Sequence, residues 1–270
     1  MSDKNIKKTI GLYPNRKYTW KKQHPDLRDF KFARSPMADK LKIEELPKTV
    51  NLRRWCSQVE DQGQLGSCTA HAWSGLLEYN ANREKKIPYR DLSRLFIYYN
   101  ERRIEGTIDQ DSGAELRDGA KAIATYGACP EQWCQYKINA FKNKPSDKAF
   151  QEALSRKITN YYALNTFDEL KISLAEGHPF VFGFYVYESF ESDQVAKTGV
   201  VSMPDVKNEK LLGGHAVLAI GYNEPQKRFL CRNSWGKGWG LKGTLDGYFT
   251  MPYEYIANSD LATDFWTCVI

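Results

Sequence analysis

Three residues whose types together activate a sulfur nucleophile are spread along this chain of 270 residues: Cys68, His215 and Asn233. Cys68 stands where a helical period begins, after Gly63 and Gly66. Backbone N–H groups and the positive end of a helix dipole there favour thiolate over thiol. The same position also suits a buried cysteine that fills a helix–turn contact. His215 follows Gly213-Gly214 and opens the apolar run Ala216-Val-Leu-Ala-Ile220, the rim of a strand, with its ring free to face a cleft. Taken alone it reads as a surface histidine at a strand end. The segment Asn233-Ser-Trp-Gly-Lys-Gly-Trp-Gly240 changes that reading. An amide oxygen at Asn233 would accept the second imidazole N–H and fix the tautomer that leaves the other nitrogen for a thiol. Trp235 would lie over that hydrogen bond and exclude water. The glycines permit a tight path that bulkier residues would not follow.

These residues need elements to hold them. Ala70, Trp73, Leu76, Leu77 and Asn80 recur at helical spacing and predict an amphipathic helix over 68–84. Further helices are expected over 93–103 and over 113–126, the latter opened by a capping box at Ser112-x-x-Glu115 and closed by Gly127. A second capping box, Thr166-x-x-Glu169, predicts a short helix ending at Gly177. Beyond it the period changes. Residues 179–187, 216–220, 228–232 and 247–251 are rich in aromatic and β-branched types and read as strands. A helical first half followed by a β second half argues for an α+β fold, with two lobes sharing a cleft. Residues 1–45 carry no helical period and read as an extended arm, ordered in part by Trp20 and Phe30.

The formal charge of +6 raises the question of nucleic acid, and its location answers it. Residues 1–34 contain ten Lys or Arg against three Asp or Glu, whereas the remainder holds 29 basic and 30 acidic residues. The basicity belongs to the arm, and no zinc-finger spacing, RNP-like motif or repeat accompanies it, so no nucleic-acid partner is expected. Six scattered cysteines imply no disulfide framework. Cys129-x4-Cys134 lacks a second ligand pair, so no metal is expected either. No apolar run is long enough to span a bilayer. The start, Met1 to Lys8, lacks an apolar secretory h-region, which points to a cytoplasmic protein or to an export route the sequence does not display.

Gln62-Gly-x-x-Gly-Ser-Cys68, Gly-His215-Ala-Val and Asn233-Ser-Trp-Gly-x-Gly-Trp-Gly240 together resemble the papain family of cysteine peptidases, from about Leu46-Pro47 to the C-terminus. The resemblance implies a two-lobed fold, with a helical left lobe, an antiparallel β-barrel-like right lobe and the active-site cleft between them. It also implies a Cys68–His215 ion pair, with Asn233 orienting His215. The Gln62 amide and the Cys68 backbone N–H would form an oxyanion hole, and Trp235 would be the shielding indole. Peptides or proteins are the implied substrates, and no cofactor is implied.

Departures from the family pattern point to its divergent bacterial and viral branch. Leu65 replaces a disulfide-forming cysteine, Thr69 replaces an aromatic residue, and Gly214 stands where Asp or Asn is common. His71, one turn after Cys68, is read as facing away from the reaction. Two alternatives share the same residues: transfer of the acyl group to an amine, and a catalytically silent peptide-binding scaffold. Residues 46–270 form the peptidase-like domain. For residues 1–45 two readings stand together: a propeptide-like segment lying in the chain's own cleft, making the chain a zymogen, or a strap that packs elsewhere.

Overall fold

A computed structural model describes residues 16–38, 42–85 and 88–270. The expectation drawn from Met1 to Lys8 lies outside those residues.

The second half of the chain supplies most of an antiparallel sheet. Its strands are β1 (Thr49–Asn51), β2 (Asn160–Ala163), β3 (Phe180–Tyr187), β4 (Leu211–Asn223), β5 (Arg228–Arg232), β6 (Tyr248–Pro252) and β7 (Ala262–Val269). They run in the order β2-β7-β3-β4-β5-β6, with β1 added on β4. The path is open at β2 and β6, so the β lobe is a sheet that does not close into a barrel. Residues of alternating parity face opposite sides, as the pleat requires. Phe180, Phe182 and Phe184 join Val217, Ala219 and Phe249 in one core. Val181, Ala216, Leu218 and Ile220 join the other.

Among the described residues there are seven α-helices: α1 (Cys68–Glu84), α2 (Arg94–Glu105), α3 (Leu116–Tyr126), α4 (Asp147–Ala153), α5 (Phe167–Ala175), α6 (Asp193–Thr198) and α7 (Tyr253–Ala257). Helices α1 to α3 pack on one another and on the face that carries Ala216 and Leu218. Short helices α5 to α7 cover the opposite face. The α+β architecture expected from the sequence is therefore present. Helix α1 differs from expectation in one respect: every residue from Cys68 to Ala81 is buried, so it is a central helix rather than an amphipathic one. Ser93 caps α2, accepting from Phe96 N–H at 3.0 Å, and Gly106 ends it in the left-handed region.

The capping box proposed at Ser112 is not formed. Helix α3 begins at Leu116, and the Ser112 hydroxyl donates to Thr107 Oγ1 at 2.8 Å. Gly113 lies in the left-handed region, and the Ala114 carbonyl accepts from Lys21 N–H of the arm at 3.1 Å. The stretch before α3 thus serves the arm instead of the helix. The box at Thr166 does form, with Glu169 N–H on Thr166 Oγ1 and Thr166 N–H on Glu169 Oε2, both 3.2 Å.

Trp20 is buried and helps order the arm as expected, but the second anchor is Phe32 and not Phe30. Phe30 is 62% exposed, whereas Phe32 is fully buried and Met37 nearly so. Both belong to the core that also holds Phe180 and Phe182. All six cysteines are free. No described helix is long and apolar enough to cross a membrane.

Candidate active site

Cys68 is the first residue of α1, and the backbone N–H groups of Ala216, Thr69 and Cys68 itself lie near enough to its sulfur to favour the thiolate. Ala216 is the neighbour of His215 on β4, so the seam between helix and sheet brings the thiol beside the histidine's strand. His215 shares the sheet face of Phe184, with ring centroids 5.7 Å apart, and is fully buried. Its Nε2–H donates to Asn233 Oδ1 at 2.8 Å. The same oxygen accepts from Ser234 N–H at 2.8 Å. His215 Nδ1 is buried with no hydrogen-bond partner. A carboxamide oxygen only accepts, so the proton sits on Nε2 and Nδ1 is left bare. Trp235 stacks on the imidazole at 5.2 Å and 28°, and Trp239 meets Trp235 edge-on at 4.8 Å.

Gln62 reaches this site through a short ladder between two distant segments. Asp61 bridges Trp235, Gln62 N–H donates to Ser234 O at 2.9 Å and Gly236 N–H donates to Glu60 O at 3.0 Å. The Gln62 side chain accepts from Ser234 Oγ at 2.6 Å and donates one amide N–H to Leu65 O at 3.0 Å. That leaves its second amide N–H for an incoming oxygen. Among the described residues, no group of three or more His, Cys, Asp and Glu side chains is arranged to hold a metal ion.

The departures from the family motif acquire reasons. Thr69 donates its hydroxyl to Glu101 at 2.8 Å, and burial pushes that carboxyl up to about 8 despite the hydrogen bond. Gly214 lies directly against the arm: a Cβ there would come within 2.5 Å of the Trp20 carbonyl oxygen. Residues the sequence did not single out also take part. Tyr136 OH donates to Gln62 O at 2.9 Å and meets Ser67 Oγ at 2.6 Å. No sequence signal links residues 62, 67 and 136, which only the fold brings together.

Residues 16–21 of the arm cross the seam. Thr19 forms a parallel bridge with Gly214 and donates its hydroxyl to Gly66 O at 2.9 Å. Trp20 N–H donates to Gly214 O at 2.9 Å. The segment is thus hydrogen-bonded to the turn before Cys68 and to the strand of His215. Tyr18 lies edge-on to His215 at 6.1 Å and bonds Glu191 through its hydroxyl. Arg16 pairs with Asp61 at 2.6 Å, and Lys17 pairs with Asp111 at 2.5 Å. The Trp20 indole sits against Gly183 and packs edge-on to Tyr185 at 5.5 Å. Under this cover, burial pushes the Cys68 thiol up to about 12, against the pull of the surrounding N–H groups. Burial also holds His215 down to about 4, outweighing its bond to Asn233. Both groups are therefore neutral at ordinary pH.

Residues 46–265 match the model of the papain family of cysteine proteases. An uncharacterized peptidase C1-like protein of Acanthamoeba polyphaga mimivirus is 45% identical over 237 residues, covering 83% of this chain and 73% of that protein. Procathepsin L of Rattus norvegicus is 25% identical over 239 residues, covering 81% of this chain but only 64% of its own length. Among solved structures, xylellain, a cysteine protease from Xylella fastidiosa, superposes with a TM-score of 0.85 at 40% identity, covering 94% of this chain and 96% of that one. The chain belongs to the papain family of cysteine proteases, enzymes that hydrolyse peptide bonds. Its similarity to a viral and a bacterial protein accords with the divergent branch indicated by the motif departures.

Proposed function

We propose that the chain hydrolyses peptide bonds with Cys68 as nucleophile, and that residues 16–21 hold it inactive until they are displaced. Once the segment is displaced, His215 Nδ1 takes the Cys68 proton, and the resulting thiolate attacks the scissile carbonyl carbon to form a tetrahedral intermediate. Gln62 and the Cys68 N–H donate to the resulting oxyanion. Removing one such donor typically costs about 100- to 1,000-fold in rate. His215 delivers a proton to the departing amine as the carbon–nitrogen bond breaks, leaving a thioester on Cys68. It then takes a proton from the water that cleaves that thioester, regenerating the thiol. Asn233 keeps the ring oriented through both steps, and Trp235 shields that contact.

The observation that carries this reading is the His215 tautomer. Nε2 is committed to Asn233 at 2.8 Å, which leaves Nδ1 bare and buried one residue from the Ala216 N–H, which favours the Cys68 thiolate. The inhibitory role of the arm is supported by its hydrogen bonds to both Gly66 and Gly214.

An epoxysuccinyl peptide that alkylates activated thiols tests both parts when followed by intact mass. A single adduct, absent from Cys68→Ala, is expected. Labelling of the unaltered chain should be slow, and it should be faster in a Tyr18→Ala, Trp20→Ala double variant. A folded double variant that takes up no adduct would sink the peptidase reading. Equal rates in the two proteins would sink the inhibitory one.

A further inference from the structure

Behind the Asn233 amide, between α1 and the end of β5, lies a small, partly open cavity of about 10 Å³ whose walls include Glu60, His71, Ser74, Ala216, Arg232 and Asn233. That is close to the space one water molecule requires, and a buried water needs two to four polar partners. Three side chains on these walls each carry a buried polar atom with no hydrogen bond: His71 Nε2, Arg232 Nε and Asn233 Nδ2. The residues are between 4% and 6% exposed, so solvent does not satisfy them.

Their polarities are complementary. Arg232 Nε and Asn233 Nδ2 only donate. His71 Nδ1 lies 2.9 Å from the Ser67 carbonyl oxygen, which only accepts, so Nδ1 carries the proton and Nε2 is an acceptor. Burial, reinforced by the positive charge of Arg94, holds this histidine down to about 3 and keeps that acceptor bare. The guanidinium is fixed from the other side. It donates to Ser57 Oγ at 3.1 Å and to Gln58 O. Helix α1 makes room for it at Gly75, where a Cβ would fall 2.0 Å from Nη1.

We propose that this cavity binds one water, which accepts from Arg232 Nε–H and Asn233 Nδ2–H and donates to His71 Nε2, making His71 a positioning residue for the Asn233–His215 pair. The inference rests on reading Cys68, His215 and Asn233 as the reactive triad. The Asn233 amide is already held at its oxygen by Ser234 N–H and His215. The water holds it at its nitrogen, so the amide plane is clamped at both ends. Without the His71 acceptor the water loses its partner, the amide rocks and the imidazole loses its fixed bearing on the thiol.

The test uses full-length chain carrying Trp20→Ala to open the cleft, with His71→Phe, His71→Gln or Asn233→Ala added. His71→Phe should lower kcat about three- to tenfold with KM unchanged, the size expected for one modest hydrogen bond. His71→Gln should regain most of that, because its terminal amide oxygen reaches about as far as Nε2. In the otherwise unaltered chain, the downfield proton signal of His215 Nε2–H should shift and exchange faster in His71→Phe but not in His71→Gln. A high-resolution crystal structure should show water density in the cavity. A dry cavity, or Phe and Gln variants that behave alike in both assays, would overturn the proposal. If Asn233→Ala itself left kcat unchanged, the triad reading would have failed instead. The water site would then stand or fall on the crystallographic density.

Discussion

At the scale of single residues, the covered site is a neutral pair. With burial pushing Cys68 up to about 12 and His215 down to about 4, neither group is charged between those limits while the arm is in place. The sign of the pH response follows. Alkylation of Cys68 by iodoacetamide should remain slow in the unaltered chain and climb only at strongly alkaline pH. Loosening the arm through Trp20→Ala readmits water and lets imidazolium stabilise thiolate, so the rate profile should move several pH units lower. Peptide-resolved mass spectrometry across pH would measure this, and superimposable profiles would contradict it. Cys68 and Asn233 were legible in the sequence because one opens a helical period and the other directly follows a strand. His215, which lies inside β4 and not at its start, and Trp235 were legible only through the Asn233–Gly240 segment. The contacts that hold Gln62 were not, since Ser234 and Tyr136 approach it only through the fold.

Among the elements, the arm is the one whose behaviour the geometry constrains most. Its ion pairs involve partly exposed side chains: Lys17 remains 48% exposed and Asp61 53%. Such pairs are worth about 0–1 kcal/mol each. The Trp20 indole is 4% exposed, and removing a buried aromatic of that size costs about 3–5 kcal/mol. Trp20→Ala should therefore speed Cys68 labelling far more than Lys17→Ala, and added salt should do little. Comparison of labelling rates at low and high ionic strength would check this. If salt alone released the arm, the ion pairs would be the dominant restraint. The sequence showed Trp20 as an ordered point in the arm. It also suggested a helix start at Ser112, and local propensity failed there because the backbone from Gly113 to Ala114 is committed to Thr19 and Lys21.

For the whole molecule, the described residues of the arm do not form one unit. Phe32 and Met37 belong to the core that holds Phe180 and Phe182, while residues 16–21 run along the seam, with Trp20 buried in the other core. Phe32→Ala should cost about 3–5 kcal/mol of unfolding free energy. Phe30→Ala, at an exposed position, should stay within about 0.5 kcal/mol. Urea denaturation would separate them, and equal losses would mean that the burial difference carries no energetic weight. Helical and β halves were readable from their periods, but β1, β2 and β7 were not. β7 pairs with both β2 and β3, so its place depends on partners far away in the chain. The division of the arm has a kinetic consequence. If residues 16–21 cover Cys68 as proposed, then while the chain is intact they are presented by a short tether at an effective concentration on the order of millimolar, independent of dilution. One cut between Lys22 and Lys31 would leave Phe32 in its core and turn the covering segment into a free ligand. At the dilution of a working enzyme its occupancy would collapse, and rejoining would be bimolecular. A single broken peptide bond far from the sulfur would thus convert a reversible cover into a one-way switch.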